Sequence, residues 1–398
     1  MTLWRREEDD GARLTRIRFA DRAVKTPPSG IREIVHLALQ LQQRGRDIIR
    51  LEVGESNDGT LPFITQVALA DALGGQTRYT ASAGQMELRQ ALAAKLARVN
   101  GIQVAPENVV VTVGAVQGLW LALAAFCNPD DDVLIPDPGW PNYEMIATLI
   151  GARVRRYRCD PARGFLPDPT EVRQGIGPRT RALVINSPQN PSGAVYPSAL
   201  IQDLVTIAEE HNIVLISDEA YDELYFDTPP LSPARLIPVE NGRWVATFSL
   251  SKTYAMTGWR VGYLVGSSDM AALTAKLQEP TVSCVSAPSQ RAALAALVGP
   301  QESVAGQRED LRRRRDHVLA RLRSAGRASY TPAGAFYLLV DVRPHEDRNF
   351  ALALLERHGV AVAPGSAFGK VSCGFVRICY AAGGERLLEG VERLLASL

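Results

Sequence analysis

The chain has 398 residues, too many for one ordinary core and suited to roughly two domains. Its 46% hydrophobic content and formal net charge of +1 exclude a nucleic-acid or membrane-surface role resting on bulk charge. Five cysteines scattered without CxxC or CxxxH spacing give no zinc site and read as reduced thiols, no apolar run reaches bilayer length, and the start shows no apolar signal-peptide core, so the expected address is the cytoplasm.

Residues 1–29 read as an N-terminal arm. From Gly30 to Gly45, residues Ile31, Ile34, Val35, Leu37, Ala38 and Leu41 fall at helical spacing and predict one amphipathic helix. Short β-branched runs then alternate with longer helical ones. Val109–Val113, Asp132–Pro136, Arg153–Tyr157, Ala182–Asn186, Val214–Ser217, Trp244–Phe248 and Val261–Val265 predict strands, with helices such as Ala115–Phe126 and Ser198–His211 between them. This alternation predicts an α/β fold, a mostly parallel central sheet flanked by helices. One long amphipathic helix is expected from Pro288 to Ala325, with Arg312–Arg315 as a solvated face. From Gly326 onward, short strands and two helices, punctuated at Pro332–Gly334 and Pro364–Gly369, predict a smaller α+β domain.

Ligands of open α/β sheets sit beyond the carboxyl ends of the strands. The residues just after the predicted strands are therefore informative. They are Gly114-Ala115-Val116, Pro138-Gly139-Trp140, Asn190-Pro191, Asp218-Glu219-Ala220-Tyr221 and Ser249-Leu250-Ser251-Lys252. Lys252 has hydroxyls before it and Arg260 after it, which suits a Schiff-base lysine beside a phosphate cradle. Asp218 ends a buried strand and is placed to pair with a protonated pyridine nitrogen, while Tyr221 and Asn190 are able to donate to a phenolate oxygen on the same ring. Gly114 opens a helix whose free N–H groups favour a phosphate, and Trp140 is suited to stack on an aromatic ring. Arg377, in an apolar strand, needs a partner such as a carboxylate. Each residue alone also has an ordinary role: an exposed Lys, an N-cap Asp, a core Tyr, a turn Asn, a surface Trp, an internal salt bridge. Their joint arrival at strand ends is what points to a site.

The ordered motifs carry a resemblance. Gly54-Glu55, Tyr79-Thr80-Ala81-Ser82-Ala83-Gly84, Asp137-Pro138-Gly139-Trp140-Pro141, Asn186 to Gly193, Asp218 to Tyr221, Ser249 to Thr253, Gly258 to Gly262, Pro332 to Tyr337, Pro364-Gly365 and Val376-Arg377 resemble the class I/II aminotransferases. These are pyridoxal 5′-phosphate enzymes of fold type I. The resemblance implies a large cofactor-binding α/β domain over residues 52–286, and a small α+β domain built from 30–51 and 287–398. It implies Lys252 as imine lysine and proton shuttle, Asp218 on the ring nitrogen, Asn190 and Tyr221 on the ring oxygen, and Trp140 on the ring face. It assigns the phosphate to Gly114, Ala115, Val116, Ser249 and Arg260, with Tyr79 reaching the phosphate of a neighbouring subunit. The substrate α-carboxylate falls to Arg377, helped by Gly54 and Asn190. An amino acid, a 2-oxo acid and a second copy in a homodimer with shared active sites are the implied partners.

Two positions depart from the family pattern. Aspartate-preferring members of the bacterial subgroup are expected to carry Lys where this chain has Val116, and Cys284 stands where Asn is common. Val116 argues against aspartate as the preferred donor, Cys284 is expected beside the substrate pocket, and neutral or aromatic donors are the working hypothesis. The same motifs also suit a lyase, or a natural-product oxidase or cyclase, on this scaffold. A ligand-sensing regulatory domain is a rival of another class, but such proteins carry an N-terminal winged helix-turn-helix. Residues 1–29 show no such pattern.

Overall fold

The computed structural model describes residues 18–56 and 58–398. The arm expected over 1–29 lies outside the described residues as far as Ile17; in its remainder Asp21–Lys25 forms a short helix. The described residues include thirteen strands: β1 (Ile49–Arg50), β2 (Val109–Thr112), β3 (Asp132–Asp137), β4 (Arg153–Asp160), β5 (Leu166–Pro167), β6 (Thr180–Asn186), β7 (Val214–Asp218), β8 (Trp244–Ser249), β9 (Gly262–Val265), β10 (Tyr337–Asp341), β11 (Val360–Ala361), β12 (Ala363–Pro364) and β13 (Phe375–Cys379).

Eight strands build the central sheet in the order β2-β9-β8-β7-β6-β3-β4-β5. β8, β7, β6, β3 and β4 are parallel, while β9 runs antiparallel between β2 and β8. All seven predicted strands are present, each within two or three residues of the expected ends. Their near-continuous burial arises from helices packing on both faces, as a parallel sheet requires. β4 instead carries four arginines near the sheet edge, where charge discourages further pairing.

A second sheet of β10, β13 and β12 is antiparallel. β1 pairs in parallel with β11, Ile49 opposite Val360, so the chain before Leu51 joins the C-terminal third. The first predicted helix forms at Gly30–Gln43, with Ile34, Ala38 and Leu41 buried at helical spacing.

The single long helix expected from Pro288 to Ala325 is two helices, Ala287–Val298 and Glu302–Ser324. Pro300 has no N–H and pushes the preceding residue out of the helical region, and Gly299 is extended at φ −77°, ψ −174°. The arginine run on the second helix is also only half a solvated face. Arg312 and Arg313 pair outward with Glu309 and Asp310 at 3.0 and 2.8 Å. Arg314 donates to the Ala381 carbonyl at 2.7 Å, and buried Arg315 donates to the Pro332 carbonyl at 2.9 Å while lying 4.6 Å from the Phe226 ring. That pair ties the helix to the C-terminal unit.

Behind the sheet, helix Met86–Lys95 widens into a π-helical turn, Leu96–Asn100. There Lys95, only 5% exposed, bonds Asp222, lies 3.5 Å from Glu223, and donates to Asn100 Oδ1 at 2.9 Å. Asn100 in turn donates to Asp222 at 2.9 Å. Breaking a buried ion pair strands the remaining charge. Lys95→Met is expected to lower the unfolding free energy by about 3 kcal/mol or more, read from the urea midpoint at unchanged slope.

Candidate active site

The carboxyl ends of β6, β7 and β8 place three polar residues on one rim: Asn186 opposite Asp218, Asp218 opposite Thr247, and Ser249 at the last position of β8. In front of this rim lies a cavity of about 560 Å³. Of the residues picked from sequence, Gly54, Gly114, Ala115, Val116, Trp140, Asn190, Asp218, Tyr221, Ser249, Lys252, Arg260 and Arg377 line it. Tyr79 does not: it is 88% exposed and lies on the outer surface of this chain.

Lys252 comes after β8 in a short helix, Leu250–Thr253, whose first turn is capped by Ser249 Oγ accepting from the Ser251 N–H at 3.1 Å. The lysine Nζ donates to the Gly54 carbonyl at 2.7 Å. Burial lowers its pKa to about 8, with the positive charges of Arg260 and Arg377 acting in the same sense and Cys379 and Glu55 opposing. A neutral amine is thus accessible near physiological pH.

Asp218 is pushed the other way. Burial raises its pKa to about 6, restrained by hydrogen bonds from the Tyr143 hydroxyl at 2.6 Å and the Ala220 N–H at 3.2 Å. Its neighbour Glu219, buried and bonded by Ser232 Oγ at 2.6 Å, is pushed up to about 8. At neutral pH Asp218 is therefore the ionised member of two adjacent carboxyls. The Asn186 side chain donates to the Asp218 carbonyl at 2.9 Å and accepts from the Asn190 N–H at 2.8 Å, which couples the β6 and β7 ends to the Asn190 turn.

Arg377, on β13 and 2% exposed, reaches the cavity from the second sheet. Nη1 donates to Asn190 Oδ1 at 2.8 Å and Nη2 to the Glu52 carbonyl, while the guanidinium lies 4.3 Å from the Tyr337 ring and 4.8 Å from that of Phe368. Among the described residues no carboxylate pairs with it, and Nε has no hydrogen-bond partner. An internal salt bridge is thus not its role.

The phosphate end is shaped by close approach. Gly114, at φ +71°, opens helix Gly114–Phe126, and a Cβ there would lie 2.7 Å from Arg260 Nη2. The helix start has no side-chain cap, so its first N–H groups face the cavity end without intrahelical partners. Ser251 Oγ is also buried without a partner. Open amides, an adjacent guanidinium and orphaned polar atoms fit an anion with an aromatic ring between it and Arg377. Among the described residues no cluster of His, Cys, Asp or Glu is built to hold a metal ion.

Sequence reasoning missed two aromatics. Tyr143 supplies the hydrogen bond on Asp218, and the Tyr337 hydroxyl lies 2.8 Å from that of Tyr221. Tyr337 also fixes the crossover at Gly54, where a Cβ would fall 1.8 Å from its hydroxyl. Tyr337 closes a quoted motif, but nothing in the motif shows that it faces the site. Tyr143 stands three residues after Trp140, and that spacing was its only signal.

Acetylation of Lys252 by acetic anhydride in the apoprotein, read by peptide mass spectrometry, is expected to accelerate through about pH 8 and then level off. A midpoint near that of an ordinary exposed lysine would contradict the geometry.

Comparison with known proteins identifies the family. The family model for aminotransferase class I and II matches residues 46–396. The chain is 38% identical to an aspartate/prephenate aminotransferase of Thermus thermophilus, over 92% of this chain and 95% of that one. It is 39% identical to an arginine–pyruvate transaminase of Pseudomonas aeruginosa, over 91% and 93%. Among solved structures, Thermus thermophilus aspartate aminotransferase with maleate superposes at a TM-score of 0.90 with 37% identity, covering 96% of this chain and 99% of that one. Aspartate aminotransferase of Thermotoga maritima gives 0.90 with 35% identity, covering 95% and 99%. The fold, the cavity and these similarities together show that the chain belongs to the class I and II aminotransferases.

Proposed function

We propose that this chain is a pyridoxal-phosphate-dependent aminotransferase that moves an amino group between an α-amino acid and a 2-oxo acid. The observation that carries the reading is one cavity lined by a half-buried lysine whose pKa is lowered to about 8, a buried carboxylate and a buried arginine without a carboxylate partner. Pyridoxal phosphate, when bound, supplies an aldehyde for the amino group and an electron-withdrawing ring. The N–H groups of Gly114 to Val116, with Ser249 and Arg260, are the phosphate holders in this reading. Asp218 would pair with the protonated ring nitrogen, with Tyr143 keeping its carboxylate oriented; Asn190 and Tyr221 would hold the ring oxygen and Trp140 would stack on the ring.

The remaining groups act on the substrate. Arg377 binds the α-carboxylate through its open N–H positions, and the Asn190 and Glu52 contacts hold the guanidinium in place for it. A carboxylate fixed there leaves the Cα–H bond as the one presented to Lys252. Nζ, neutral near pH 8, then takes the Cα proton as general base and returns it as acid. Tyr79 serves the site of a neighbouring copy. Its 88% exposure supports this, as does the outward display of Leu69, Leu73 and Val298 at 57%, 88% and 70% exposure, an apolar face suited to a homodimer.

Supplied with pyridoxal phosphate, the purified protein is expected to show a visible absorption band, and borohydride should mark Lys252 covalently. Lys252→Ala should lose the mark and lower turnover by about 10² to 10⁴. The product decides the reaction class: a new amino acid and a 2-oxo acid support an aminotransferase, whereas ammonia or peroxide would assign a lyase or an oxidase.

A further inference from the structure

We propose that Arg32 selects the substrate, by binding a second carboxylate at the end of an apolar side chain. The proposal rests on the aminotransferase reading and names its substrate class. Four cations line the cavity: Arg32, Lys252, Arg260 and Arg377. Three are engaged, Lys252 by the Gly54 carbonyl at 2.7 Å, Arg260 by the Thr257 carbonyl at 2.8 Å, and Arg377 by Asn190 and Glu52. The Arg32 guanidinium alone has no hydrogen bond, ion pair or ring contact among the described residues. Its neighbour Glu33 is committed to Arg348 at 2.5 and 2.9 Å, and Glu52, which lines the same cavity, is engaged by Arg50.

Arg32 is exposed at the cavity mouth, and packing fixes the helix that carries it. Arg32 sits in the first turn of helix Gly30–Gln43, whose Gly30 lies against Ala367, where an added Cβ would be 3.0 Å from the Ala367 Cβ. Ala367 precedes Phe368, which covers the Arg377 guanidinium at 4.8 Å. The free cation therefore stands on the same side of the cavity as the α-carboxylate arginine. The cavity also has an apolar wall, with Ile31, Val35 and Val53 from the N-terminal side, Val116 from helix Gly114–Phe126 and Trp140 from the turn after β3. An unpaired guanidinium at the end of such a wall recognises an anion by paired N–H donors, and the apolar wall favours a methylene or ring spacer before it. Val116 still argues against a lysine-type aspartate site, because the free cation stands on a different element. A wholly neutral donor is what Arg32 argues against.

The holoenzyme would be assayed with 2-aminohexanedioate and 2-aminohexanoate, which match in length and differ only by the terminal carboxylate. The wild type should prefer the diacid. Arg32→Gln should lower kcat/KM for the diacid by about tenfold and leave the monoacid within about twofold, with Arg32→Lys recovering part of the loss. Equal effects on both donors, or an unchanged preference, would overturn the proposal. Calorimetric binding of unreactive adipate and hexanoate to the holoenzyme separates the two claims. If neither these donors nor any other amino acid yields a 2-oxo acid, the aminotransferase reading fails. The selectivity proposal then still stands or falls on whether Arg32→Gln weakens adipate and spares hexanoate.

Discussion

Arg377 is where the parts of the molecule meet. Its strand belongs to the small antiparallel sheet, one N–H goes to a turn leaving the large sheet, and another goes to the segment that crosses from β1 toward the cavity. Tyr337 and Phe368 sandwich the guanidinium, so the charge is held by π faces and carbonyl dipoles and not by a counter-ion. A buried cation without its own anion is costly. In the proposed reading a substrate carboxylate offsets that cost, while the contacts that hold the guanidinium also tie the two sheets together around the cavity. The fold and the binding chemistry thus share one residue.

The electrostatics of the rim arise from burial acting on groups of opposite sign. It lowers Lys252 toward neutrality and raises Asp218 and Glu219, and the hydrogen bond from Tyr143 keeps Asp218 on the ionised side at neutral pH. Without that hydroxyl, desolvation would act on Asp218 with only the Ala220 N–H to restrain it. A tyrosine in the wall therefore restrains the rise that burial imposes on Asp218.

Much of this was legible in the sequence because α/β sheets present their chemistry at strand ends. Lys252, Asp218 and Asn190 each come after a strongly patterned strand, so finding the strand located the residue. Arg377 was visible as a charge inside an apolar run. The two aromatics were hidden for a physical reason: Tyr143 and Tyr337 look like core residues, and only the pairing of distant strands shows that their hydroxyls face the site. Arg32 was hidden in a helical pattern that explained Ile31, Ile34 and Val35 and left the arginine as an ordinary polar-face residue. The break at Gly299-Pro300 was readable and was overridden by the helical spacing on either side. Arg315 is buried by contacts with Phe226 and Pro332, which nothing in an arginine run specifies.

The π-helical turn at Leu96–Asn100 sets the rotational phase of the chain that leaves it. In a regular α-helix, residues five apart point about 140° away from each other. Here the wider turn brings Lys95 and Asn100 onto one face, where both reach Asp222, the residue after Tyr221. The extra residue in this turn works as a phase insertion. Regular α-helical winding over the same five residues would swing Asn100 about 140° from Lys95, whereas deleting one residue would leave the two four apart and only about 40° from each other. At the present chain length it is the wider turn, not regular helix, that lets two residues of one helix end hold the residue next to Tyr221.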